Sequence, residues 1–197
     1  MHIAFKEWAV VVDALGRGEQ IIILRKGGIS EGRGGFKPQH AQFLLFPTLF
    51  HQQRQSVIPS AQARFDSISP SLPARDCLRL QFFCEVVAWH RLDSLAAAER
   101  LRGQHIWRDE VIAQRLDWGR EKNIFALAVR VFRLVEVLEL PMRESYGGCK
   151  SWIELEIDAS DAAEPVLSDD AFASKIEAFR SAVDLNKAAR FRRKVAL

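Results

Sequence analysis

The sequence predicts an α+β fold, with a mixed or largely antiparallel sheet of about five strands, open to barrel-like closure, and about four helices. Three observations predict it. Apolar residues make up 48% and charged residues 27% of the 197 residues, enough to bury a core without disulfides or a metal and about right for one domain. Segments with the two-residue period of strands are interspersed with segments of helical spacing. No strict strand-helix succession of the doubly wound kind runs through them.

Phe5, Trp8, Ala9, Val12 and Leu15 recur at helical spacing before Gly16 and Gly18, so Phe5–Leu15 reads as an amphipathic helix, although Ala9 to Val12 would also suit a strand. Gln20–Lys26 is a short β-branched run closed by Gly27 and Gly28, the pattern of a buried strand. Gln42–Phe46 makes a second apolar strand, stopped by Pro47. Residues 56–77 read as a long loop, because Ser56–Pro73 holds three prolines and five serines and its apolar residues show no period. In Leu78–His90 the residues Leu78, Leu80, Phe82, Cys84, Val86 and Ala88 alternate with polar ones, a long strand with one face toward a core. Asp93 is placed to cap a helix reaching Leu101, with Gly103 as its stop. Arg108–Trp118 is a further helix and Phe125–Leu134 a further strand. In Lys150–Ile157, Ile153, Leu155 and Ile157 face one way and Trp152, Glu154 and Glu156 the other. A last helix, capped by Ser168 or Asp169, carries Phe172, Ile176 and Phe179. The expected organisation is one α+β domain over residues 4–157, an acidic linker and helix over 158–185, and a basic tail over 186–197.

The formal charge of +3 is a property of that tail. Lys187, Arg190, Arg192, Arg193 and Lys194 stand there without an acid, so residues 1–185 are mildly acidic at −2. The tail reads either as a short arm for nucleic acid or a membrane surface, or as a solvated end. Cys77, Cys84 and Cys149 form no paired spacing, which argues against a disulfide framework or a zinc ribbon and for a reducing, cytoplasmic setting. Lys6 and Glu7 interrupt any signal-peptide core, and the apolar run Ile124–Leu134 contains Arg130 and Arg133 and is far short of a membrane span, so no membrane partner is expected.

Three constellations bear on chemistry. In Arg25-Lys26-Gly27-Gly28 a glycine pair at a strand end would let backbone N–H groups approach an anion beside two cations, although the spacing is that of no phosphate loop and also suits a tight turn. His51 and Arg54 follow the second strand and offer donors to a base edge or phosphate. Lys150, Trp152, Glu154 and Glu156 share strand parity, so a cation, an indole platform and two carboxylates would project together, or the same strand would carry solvent-facing ion pairs. A nucleophilic Cys149 with His90 or His105 is the weaker reading, buried cysteine being commoner. Trp89, Trp107 and Trp118 read as core or groove walls.

FKEWAVVVDAL from Phe5, ILRKGGISE from Ile23, FLLFPTLFHQQ from Phe43, QHIW from Gln104 and YGGCKSW from Tyr146 together resemble an uncharacterised prokaryotic family, the domain of unknown function numbered eighteen hundred and two. The resemblance spans most of residues 4–155. It implies a domain ending near Leu155 with the last helix and tail as additions, and it carries no activity.

The residues favour a non-catalytic nucleic-acid- or nucleotide-binding module without a cofactor. Lys150 and Trp152 would supply cation and stacking, Arg25, Lys26 and Arg54 the phosphate contacts, Gly27 and Gly28 backbone donors, and His51 a hydrogen bond. The alternative is a phosphodiesterase holding Mg²⁺ or Mn²⁺ on Glu154, Glu156 and His51. A third reading is an interaction module of a larger assembly.

Overall fold

The computed structural model describes residues 2–26, 40–49, 51–68, 76–119, 121–148, 150–157 and 162–184. In chain order the elements are β1 (His2–Trp8), α1 (Ala9–Gly16), β2 (Ile22–Arg25), β3 (Gln42–Thr48), α2 (Pro59–Ile68), β4 (Cys77–Leu92), α3 (Leu95–Glu99), α4 (Asp109–Asp117), β5 (Ile124–Pro141), β6 (Trp152–Leu155), β7 (Ala163–Pro165) and α5 (Asp169–Val183). The seven strands form one mixed sheet in the order β2-β5-β4-β3-β1-β6, with β7 added to β5. Among the described strands only the β1–β3 pair is parallel. The α+β class is as the sequence predicts; the sheet stays open and does not close into a barrel.

All five helices lie on one face and share one large apolar core, with Val10, Leu15, Ala61, Ala98, Ile112 and Phe179 among its members. The other face carries a smaller core built from strands and one turn: Ala4, Leu44, Phe46, Leu78, Leu80, Leu134, Tyr146, Ile153 and Leu155. A sheet buried on both faces explains several departures from the sequence reading.

Phe5–Leu15 is not one helix. His2–Trp8 is a strand whose Ala4 enters the small core and whose Phe5 enters the large one, so neither a clean two-residue nor a helical period marks it. Helix α1 starts only at Ala9 and is buried all round, which is how it accommodates three consecutive valines. β3 runs through Pro47 to Thr48, because β4 pairs only with Gln42–Leu44 and β3 is an edge on that side by Pro47. On β4 a register shift between Leu80 and Phe82 breaks the single-face alternation. Leu78 and Leu80 point to the small core, whereas Phe82 and Cys84 point to the large one.

The loop expected over residues 56–77 is largely helical in its described part. The 3₁₀ turn His51–Ser56 leads through two residues to α2, where Pro59 takes the first helical position and Ala61, Phe65 and Ile68 present one apolar stripe to the core. Residues 69–75 lie outside the description. Helix α3 is capped by Ser94, whose Oγ accepts from Ala97 N at 3.2 Å, and not by Asp93. Lys150 and Ser151 precede β6. The linker Asp158–Pro165 contains the short strand β7.

Helix α5 is capped by Ser168, whose Oγ accepts from Ala171 N at 3.3 Å. It buries Phe172, Ile176, Phe179 and Val183 in the large core, and Arg100 Nε donates to Ala182 O at 2.6 Å. The tail from 186 lies outside the described residues. Among the described residues no helix is long and apolar enough to cross a membrane. Because Phe179 is fully buried against the helical layer, Phe179→Ala is expected to cost about 3–5 kcal/mol. A urea titration of the full chain checks this: a midpoint close to that of the parent would mean that α5 is a removable appendage.

Candidate functional site

Strands β2 and β6 are at opposite ends of the strand order, yet side chains join them. Arg25, the last residue of β2, donates from Nη2 to Ser151 Oγ at 2.8 Å and lies 5.1 Å above the Phe5 ring of β1. The two ends of the strand order are thus bridged by a seam of side chains without strand pairing.

The outward carbonyls of β2 are satisfied within the seam. Ile22 O accepts from Gln20 Nε2 at 2.7 Å and Leu24 O from Arg115 Nη1 at 3.0 Å, while Gln20 Oε1 accepts from Ile106 N at 3.1 Å. This blunts an edge that would otherwise recruit another strand. The Arg115 guanidinium sits 4.8 Å from the Trp8 ring and 5.6 Å from the Trp107 ring. Desolvation pulls its pKa down to about 10, which leaves it charged at neutral pH.

Glu7 is the buried carboxyl that feels the charges of Arg25 and Arg115, without a direct ion pair to either. Its side chain is 1% exposed, its Oε1 accepts from Trp8 N at 2.7 Å, and its Oε2 makes no hydrogen bond. Burial raises its pKa, against the opposing pull of Arg25, Arg115 and the Trp8 N–H. Thr48 Oγ1 donates to the Glu7 carbonyl at 3.0 Å, fixing β1 to the end of β3.

The sequence-selected residues divide accordingly. Arg25 and Trp152 come together at the seam through Ser151. Lys26 turns inward instead: its Nζ donates to the carbonyls of Glu121, Asn123 at 2.9 Å and Leu116 at 3.4 Å, holding the α4–β5 connection. Arg54 is forked onto Asp66 of α2 at 2.7 and 2.9 Å, an exposed pair that pins the 3₁₀ turn to the helix. Both cations are thus engaged with protein acceptors. Gly27, Gly28 and Cys149 lie outside the described residues, as does the side chain of His51, which opens the 3₁₀ turn.

Trp152 is half-buried among Phe5, Phe43 and His40, with ring centroids 4.7, 5.2 and 5.0 Å away, so it is one wall of an aromatic cluster and not an open platform. Its outer side and the exposed Lys150 border a surface cavity of about 450 Å³, shared with Arg143, Ser145, Glu154 and Glu156. Arg143 Nη1 donates to Glu156 at 3.2 Å. Among the described residues no three His, Cys, Asp or Glu side chains form a cluster able to hold a metal. Trp107 is buried in the core, whereas Trp89 and Trp118 are half-exposed.

Sequence reasoning missed Glu7, Arg115 and Ser151. Glu7 carried a signal, a carboxylate set among Phe5, Trp8 and an apolar helix, which is where a buried charge with a distant partner would stand. All five segments that carry the family resemblance contribute to the seam, through Glu7 and Trp8, Arg25, Phe43 and Thr48, Trp107, and Ser151 and Trp152. In comparison with known proteins, a family model described as Domain of unknown function (DUF1802) matches residues 4–178. No curated protein and no solved structure matches.

His105, beside Trp107 at 5.7 Å and 6% exposed, has its pKa lowered to about 4 from the usual 6.5, chiefly by burial. The unfolded chain therefore takes up a proton near pH 6.5 that the folded chain refuses until about pH 4. Stability from this group is full above pH 6.5 and is lost as pH falls toward 4, by roughly 3 kcal/mol at most. Denaturant midpoints measured from pH 7.5 to 4 check this. The acid slope should flatten in His105→Phe, and an unchanged slope would assign it to other groups.

Proposed function

The chain belongs to the DUF1802 family, and we propose that it binds a nucleotide-sized unit, as a free nucleotide or one exposed nucleotide of a nucleic acid, in the cavity beside β6. The observation that carries this reading is the hydrogen bond of Arg25 to Ser151, which fixes the segment between Lys150 and Trp152 at the point where the family segments meet.

The charges of the cavity favour one unit over a long backbone. Lys150 and Arg143 are matched by Glu154 and Glu156, so the field needed to attract an extended polyanion is lacking. A base edge offers donors and acceptors side by side. Glu154 suits its amino groups, Lys150 suits a single phosphate, and the indole edge of Trp152 supplies an apolar contact. At about 450 Å³ the cavity is of the size that small ligands occupy. Arg25 is a positioning residue in this scheme, since it lies behind Ser151 and touches the ligand only through the segment it holds.

Calorimetric titration of the full chain with the four ribonucleoside monophosphates and with short single-stranded oligonucleotides tests the reading. Saturable binding is expected, weakened about tenfold, or about 1.4 kcal/mol, in Lys150→Ala and in Glu154→Gln. Arg25→Lys should weaken it without removing it. Absence of binding up to millimolar nucleotide at low salt overturns the proposal, as does affinity indifferent to both cavity substitutions.

A further inference from the structure

A second cavity lies on the helical side, in a cleft of about 380 Å³ between α1 and the strands β3, β4 and β5. The irregularity on β4 makes it. Because the register shifts between Leu80 and Phe82, Arg79 and Phe82 both reach the cleft, and Phe82 stands opposite Arg133 of β5. Gly16 lets the end of α1 approach, since a Cβ there would lie 2.2 Å from the Phe82 ring.

Phe82, Leu45 and Val12 give the cleft an apolar floor, and the polar lining is three arginines, Arg17, Arg79 and Arg133, with Asp13 and Gln81. The arginines are not equally committed. Arg17 is paired with Asp13 at 2.9 Å, and Asp13 is also approached by Arg64 at 3.4 Å. Arg79 has its Nε 3.2 Å from the Glu139 carboxylate, yet that nitrogen is sealed from solvent and makes no hydrogen bond. Arg133 lies 4.8 Å from the Phe82 ring and donates from Nη2 to Gly16 O at 3.0 Å, so it covers the negative end of α1. Among the described residues no carboxylate stands within ion-pair distance of Arg133.

The geometry points to a binding site for a small phosphomonoester, with its phosphate held between Arg133 and Arg79 and its carbon body lying on Phe82 and Leu45. Two guanidinium forks match the charge and the oxygen geometry of a phosphate dianion better than those of a single carboxylate. The volume, near the lower end for ligand sites, limits the body to about one ring. The inference is independent of the reading given for the β6 cavity, because the two cavities share no residue.

Titration of the full chain with inorganic phosphate and with phenyl phosphate, at low salt and matched ionic strength, tests it. Both should bind saturably, phenyl phosphate at least tenfold more tightly. Arg79→Gln should weaken phenyl phosphate at least tenfold. Because Arg133 also serves α1, Arg133→Lys replaces its removal; losing the fork while keeping a cation, it should bind phenyl phosphate several-fold more weakly. Absence of saturation for both anions overturns the site, as does affinity unchanged in Arg79→Gln and Arg133→Lys, and equal affinity for the two anions overturns the apolar floor.

Discussion

An open sheet must bury the edge of β2 without a partner strand, and the Arg25–Ser151 hydrogen bond is the interaction that makes this possible. Once Arg25 reaches across to the β6 side, the outward carbonyls of β2 face protein, and Gln20 and Arg115 satisfy them. The Glu7 carboxyl at the end of β1 feels the pull of both guanidinium groups, although burial outweighs them and raises its pKa. Glu7 in turn stands where β1 gives way to α1, and its backbone carbonyl receives Thr48 from β3. Burying two guanidinium groups and a carboxyl is costly, and a hydrophobic seam of equal volume would often be as stable. What the charged seam adds is register. The Arg25–Ser151 hydrogen bond restricts how β2 and the segment entering β6 can sit relative to each other.

Burial on both faces has a second consequence. A strand that serves one core shows a clean alternation, but β4 serves two, and it changes allegiance between Leu80 and Phe82. At that change the side chains of Arg79 and Phe82 fall on the same side, and the helical layer cannot close over them completely. The cleft beside α1 is therefore a product of the two-core architecture.

Much of this was legible in the residues. The β-branched run before Lys26, the α4 segment and the Phe172–Ile176–Phe179 stripe each belong to one environment, and each forms the element its period predicts; the alternation from Trp152 onward also forms its strand, with Ile153 and Leu155 in the small core and Trp152 against the large one. Phe5–Leu15 did not, because Ala4 and Phe5 enter different cores and the following helix is buried on every side. The helix α2 hid behind prolines and serines, although Ala61, Phe65 and Ile68 hold helical spacing. At the site, Arg25 and Trp152 were recognisable as residue types and do come together. Lys26 and Arg54 were equally recognisable and are consumed elsewhere, Lys26 by backbone carbonyls and Arg54 by Asp66. A cation's type is local, but its partner is set by tertiary contacts that no short pattern encodes.

That distinction also separates the seam, the cavity beside β6 and the cleft beside α1. In the seam Arg115 is held by the Leu24 carbonyl and Arg25 by the Ser151 hydroxyl, and Glu7 is closed off from water, so the region is suited to holding edges together and poorly suited to exchanging ligands. Beside β6 the charges are balanced but reachable, which favours a partner that offers donors and acceptors over one that offers only negative charge. In the cleft beside α1 the balance fails at Arg133, above an apolar floor, and that combination favours a compact dianion with a hydrocarbon body. A ligand built for one of the two cavities would leave unpaired groups in the other, and the cost of an unpaired buried polar group exceeds what a misplaced contact returns. The two cavities are thus expected to discriminate between ligands by charge balance even where their volumes are similar.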